Sequence, residues 1–121
     1  MGKLYYHQIN QIDVRVSEMK GTSYRTIIDF NELKISRMSE HCYRTVTLPA
    51  STIPPQAKDL IIEKLKHLHL FEWEDTYLHA RHHPVDNTHW HIAIEMDDQT
   101  IVKKGYNQFP AEWDNFMRIL L

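Results

Sequence analysis

The chain has 121 residues, 42% hydrophobic and 25% charged, the balance of one ordinary folded domain and not of a disordered or low-complexity segment. Its formal net charge of −2 matches neither the basic footprint of a typical nucleic-acid binder nor the dense acidity of a nucleic-acid mimic. Apolar runs such as Leu60-Ile61-Ile62 fall far below the roughly 20 residues that span a bilayer, so no transmembrane helix is expected.

In chain order, Ile12, Val14 and Val16 alternate with Asp13, Arg15 and Ser17, which predicts a half-buried strand. After a turn at Gly21-Thr22-Ser23, Tyr24, Thr26, Ile28 and Phe30 share a second strand face, and the pattern resumes at Leu33 and Ile35. A third strand is expected over Tyr43 to Leu48, completing an antiparallel meander with one wet face. Pro49 to Pro55 leads into a helix with Ser51 or Thr52 as its cap, and Ala57, Leu60, Ile61, Leu65 and Leu68 form its apolar stripe. Phe71 to Leu78 reads as a short extended segment.

The C-terminal third is the most regular. Trp90, Ile92, Ile94 and Met96 alternate with His89, His91, Ala93 and Glu95, Asp97-Asp98 supplies a tight turn, and residues 100–104 return as the partner strand of a β-hairpin. Gly105 to Phe109 is expected as a loop, in which Gly105 provides an unusual backbone angle and Asn107 bonds exposed amides. Pro110 then opens a helix whose stripe is Trp113, Phe116, Met117 and Leu120. The predicted class is α+β: an antiparallel sheet made of an N-terminal meander and a C-terminal hairpin, with two amphipathic helices packed on one face.

The stretch Asp86-Asn87-Thr88-His89-Trp90, followed by the hairpin and by Gly105-Tyr106-Asn107-Gln108-Phe109-Pro110-Ala111-Glu112-Trp113, resembles a family of small uncharacterised bacterial proteins. Their common ending reads D-G-x-x-W, strand, strand, then G-x-N-x-aromatic-P-x-x-aromatic. Residues 70–121 carry the likeness, with Asn87 in place of the usual glycine. The resemblance implies the fold of this half and a bacterial source, and it brings no catalytic residue with it.

Histidine is the unusual constituent. Nine histidines would carry the net charge from −2 to +7 on full protonation, and His79, His82, His83, His89 and His91 crowd into thirteen residues. His89 and His91 should project from one strand face, a spacing that suits two imidazoles on one zinc or nickel ion, with His82 or His83 as third ligand and Asp86 or Glu95 as carboxylate. Read without a metal, they are solvent-facing residues opposite the Trp90 face. His41 and the lone Cys42 are neighbours on a strand and so point apart, which separates the thiol from its nearest base. The chain contains no G-x-S-x-G elbow, P-loop or G-x-G-x-x-G.

The lone cysteine and the absence of an apolar signal core after Met1 lead to the expectation of a cytoplasmic protein. The first functional reading is a non-enzymatic protein-interaction or regulatory module, of inhibitor or immunity type, needing no cofactor. Its partner surface would comprise Arg15, Arg25, Arg44, His89 and His91. One alternative is a metal-binding protein or hydrolase using the His79 to His91 cluster, with His82, His89 and His91 as ligands. Another is a single-stranded nucleic-acid binder that stacks bases on tyrosines interleaved with Arg15, Arg25 and Arg44, a partner class that the net charge disfavours.

Overall fold

A computed structural model describes residues 5–18, 21–41, 44–78 and 88–120. Strands run β1 Ile9–Glu18, β2 Thr22–Asp29, β3 Lys34–His41, β4 Arg44–Thr47, β5 Ser51–Thr52, β6 Thr76–Leu78, β7 Thr88–Met96 and β8 Thr100–Tyr106. Helix α1, Pro55–His67, stands between β5 and β6, and helix α2, Trp113–Leu120, follows β8. Short 3-10 turns cover Tyr6–Gln8 and Leu70–Glu72. Among the described residues the strands form one sheet in the order β4-β3-β2-β1-β7-β8-β6, with β5 paired to β3. Every pairing is antiparallel except that of β6 with β8. The architecture is α+β, and no helix among the described residues is long and apolar enough to cross a membrane.

Alternation decides what is inside. The pairings Ile12↔Ile94, Val14↔Ile92 and Val16↔Trp90 align the apolar residues of β1 and β7 on one face, and Ile28 extends the same face onto β2. A register shift between Ile9 and Gln11 is the bulge that turns Ile9 inward as well, three residues from Ile12, so both are buried. The same buried cluster also contains Ile53, which precedes α1, Ile62 and Leu65 of α1, then Leu68, Leu70 and Trp73, and Phe116 and Leu120 of α2. Arg37, on the core face of β3, donates two hydrogen bonds of 3.0 and 2.8 Å to the carbonyl of Leu120, supplying an acceptor at the helix C-terminus with donors it otherwise lacks.

Several local expectations change. Asp29 Oδ1 accepts hydrogen bonds from the amides of Asn31 and Glu32, and Leu33 takes a left-handed φ of 57°, so the chain reverses there. Leu33 and Ile35 therefore lie beyond a turn, Ile35 on a separate strand β3, and the meander has one strand more than the periodicity suggests. Ser51 and Thr52 pair with β3 instead of capping α1, whose N-cap is Pro54 without a side-chain bond. On α1, Ile62 is buried in the stripe and Leu60 is 56% exposed. Helix α2 begins at Trp113, not at Pro110, although the Trp113 amide already bonds the Pro110 carbonyl.

Gly105 is also not a loop residue. It lies within β8 directly opposite Trp90, and a Cβ there would collide with the Trp90 indole and stand 2.7 Å from the Gln108 carbonyl oxygen. Space, not backbone angle, requires the glycine. Asn107 does act as expected: with φ 55° its Oδ1 accepts from the Thr88 amide at 2.8 Å, tying the end of β8 to the start of β7.

Candidate functional site

The face of the sheet opposite the core carries the polar partners of the same alternation. Arg25 stands opposite Arg15, Arg15 opposite His91, His91 opposite Lys104, and Lys104 opposite Thr76. Four adjacent strands thus present a transverse row of basic residues, at about 4.8 Å per strand. One step along the strands, Ser17, His89 and Tyr106 form the next row, with the His89 and Tyr106 rings 4.3 Å apart. Arg15, Ser17, Thr76, His89, His91, Lys104 and Tyr106 line a depression of about 600 Å³ on this face.

Asp13 is the acidic element beside the row. Its two carboxylate oxygens accept from Arg25 Nε and Nη2 at 3.1 and 2.8 Å, a fork-on-fork pair, and Arg15 Nη2 lies 3.5 Å from the second oxygen. Burial alone would raise the Asp13 carboxyl, but the hydrogen bonds and charge of Arg25, aided by Arg15, hold it below its ordinary value. The same hydrogen bonds raise Arg25, against a smaller opposing effect of its own burial. Arg25 is thereby committed within the fold. Arg15 keeps a side chain 56% exposed, and Lys104 is exposed with no ion pair among the described residues.

The neighbouring lysine is used differently. Lys103 points to the core face, is 4% exposed, and donates to the Trp73 carbonyl at 2.6 Å, to Asp75 Oδ1 at 2.9 Å and to the Phe71 carbonyl at 3.4 Å. It pins the segment entering β6 against β8, which explains how three residues hold a parallel edge strand.

Of the expected partner surface, Arg15, Arg25, His89 and His91 share the open face, but Arg44 does not. The pairings Thr22↔His41 and His41↔Arg44 put Arg44 on the core side at the far edge of the sheet, because parity through β2, β3 and β4 assigns it to the face of Ile28. The tyrosines divide likewise: Tyr24 and Tyr77 occupy core-face positions, Tyr6 packs on Phe71 with ring centroids 4.2 Å apart, and Tyr106 accompanies the cations. His79, His82, His83, Cys42, Tyr43 and Asp86 lie outside the described residues. His89 and His91 do share a face, but among the described residues no three His, Cys, Asp or Glu side chains form a group able to hold a metal ion. Arg15 and Lys104 flanking His91 also repel a divalent cation there. Lys104 and Asp13 escaped the sequence reading, and Tyr106 entered it only as one of the tyrosines of a base-stacking platform; the β1-β7-β8 register is what places them beside Arg15 and His91.

No protein-family model matches the chain, and no curated protein matches it.

Proposed function

We propose that the protein is a protein-binding module, of regulatory or inhibitor type, that seats its partner on the open face of the sheet. The observation that carries this reading is the depression lined by Arg15, His89, His91, Lys104 and Tyr106, together with Trp90 and Gly105, a concavity on the sheet face opposite the apolar one. Arginine and tyrosine are the residue types enriched where protein partners dock, because each offers broad apolar contact with a polar end. Exposed Met38, at the β3 end of the charged row, and exposed Val102, in the adjoining row of Asp13 and Ala93, add apolar area on the same face.

Immobilised parent protein and the double variant Arg15→Glu/Lys104→Glu, each exposed to nuclease-treated extract of the source cells, test the proposal. A protein retained by the parent, released by the variant, and re-forming a complex from purified components is the expected result. Equal retention by both baits, or no protein retained by the parent, would overturn it.

A further inference from the structure

Like charges placed directly opposite on neighbouring strands repel each other, and Arg25 of β2 and Arg15 of β1 stand so, with His91 of β7 between Arg15 and Lys104 of β8. The fold offsets part of it, since Asp13 engages Arg25 through two hydrogen bonds. Lys104 and the outer part of Arg15 remain, with His91 between them, around a hollow of about 600 Å³. Among the described residues the lining of this hollow holds Arg15 and Lys104 and no carboxylate, so it is complementary to an anion supplied from outside.

We infer that the segment seated on this face is an acidic peptide stretch of the partner protein, its carboxylates lying along Arg15, His91 and Lys104; the inference rests on the protein-binding reading above. Arg15 and Lys104 stand two strand spacings apart, about 10 Å. An extended peptide with acidic residues at alternate positions presents same-face carboxylates about 7 Å apart, within the inward reach of a long arginine and a long lysine. Arginine accepts one carboxylate in a fork, and lysine takes the other as a point charge. His89 and Tyr106, whose rings meet at 4.3 Å and a tilt of 40° in the adjoining row, offer aromatic surface to the apolar part of the same segment. Single-stranded nucleic acid offers the competing anion, but Tyr24 and Tyr77, which a stacking platform would need, stand on the core-face register.

The test uses the full chain and three labelled probes in low salt: a peptide alternating Glu and Ser, its Lys and Ser counterpart, and an oligo-dT of matched length. Fluorescence anisotropy should show binding of the Glu peptide, weakened at least about tenfold in Arg15→Ala/Lys104→Ala, and a reversed preference for the Lys peptide in Arg15→Glu/Lys104→Glu. Urea midpoints of the variants equal to the parent establish that the fold is intact. Equal binding of the Glu and Lys peptides by the parent, undiminished Glu-peptide binding by the alanine variant, or tighter binding of oligo-dT overturns the inference. A protein partner captured and reconstituted as above, without any Glu-peptide preference, refutes the acidic segment and leaves the protein-binding reading standing.

Discussion

Replacing Gly105 by alanine perturbs the structure at a point where one methyl group has nowhere to go. The added Cβ would meet Trp90 Nε1 and Cε2 and stand 2.7 Å from the Gln108 carbonyl oxygen. Trp90 is 2% exposed, packs on Tyr77 at 5.6 Å and Trp113 at 4.9 Å, and donates its indole N–H to that same Gln108 carbonyl at 2.8 Å. The indole can yield only by entering its aromatic neighbours or by giving up the hydrogen bond. Overpacking of this kind costs about 1–3 kcal/mol, and loss of the bond adds about 1 kcal/mol, so Gly105→Ala should lose about 2–4 kcal/mol. Against a net stability of about 5–15 kcal/mol, the loss should lower the melting temperature by about 10 °C. Urea unfolding followed by tryptophan fluorescence measures it, with Gly21→Ala as the comparison. Gly21 has φ 87° and nothing within 4 Å of a Cβ, so its variant carries backbone strain alone, about 1–2 kcal/mol. In the double variant Gly105→Ala/Trp90→Phe the methyl and the smaller ring should fit together, so the two losses add up to less than their sum. Gly105→Ala within about 0.5 kcal/mol of the parent would refute the steric reading of this glycine.

Lys103→Ala should cost about 2–4 kcal/mol, because it empties a buried stem and strips the Trp73 carbonyl of its charged donor, whereas Lys103→Met should recover part of the loss by refilling the volume; urea midpoints in the order parent, methionine, alanine are expected, and a methionine variant no better than alanine would refute the packing contribution. Stability should also fall at both pH extremes for assignable reasons. Asp13 titrates below its ordinary 3.8 in the fold, so its contribution is complete above that value and disappears as pH falls through the folded pKa. Tyr6 is raised above 10.0, by burial first, with the Phe71 N–H bond to its oxygen opposing and Glu72 adding, so its contribution is complete below 10.0 and disappears as pH rises through the folded value. Asp13→Asn should flatten the acid limb of a stability–pH curve and Tyr6→Phe the alkaline limb; an acid limb unchanged by Asp13→Asn would refute the assignment.

What the sequence disclosed depended on how far apart the interacting residues stand. The β7-β8 hairpin was legible because Trp90, Ile92, Ile94 and Met96 alternate without interruption, and burial on one face imposes that period directly. The strand break after Phe30 was not, since it rests on the Asp29 side chain bonding two amides, a local device that apolar periodicity does not register. Leu60 was assigned to the buried stripe of α1 on spacing alone, although Ile62 is the buried residue and Leu60 is exposed. The candidate site shows the same limit. His89 and His91 were visible as a pair within one strand, whereas the row from Arg25 to Lys104 requires residues up to 79 positions apart to fall into one register. Arg44 was misplaced because its face depends on a parity carried through two turns.

The alternation in β1, β7 and β8 writes two messages on the same letters. Val16, Trp90 and Gly105 belong to the core, and their immediate neighbours Arg15, His91 and Lys104 to the open surface. A substitution in these strands edits one message and leaves the other readable. An insertion or deletion of a single residue within them exchanges the two, turning arginine inward and tryptophan outward together. The chemistry of this surface can therefore change residue by residue, but the length of these three strands is fixed by the core, and variation in length is confined to the segments that join them.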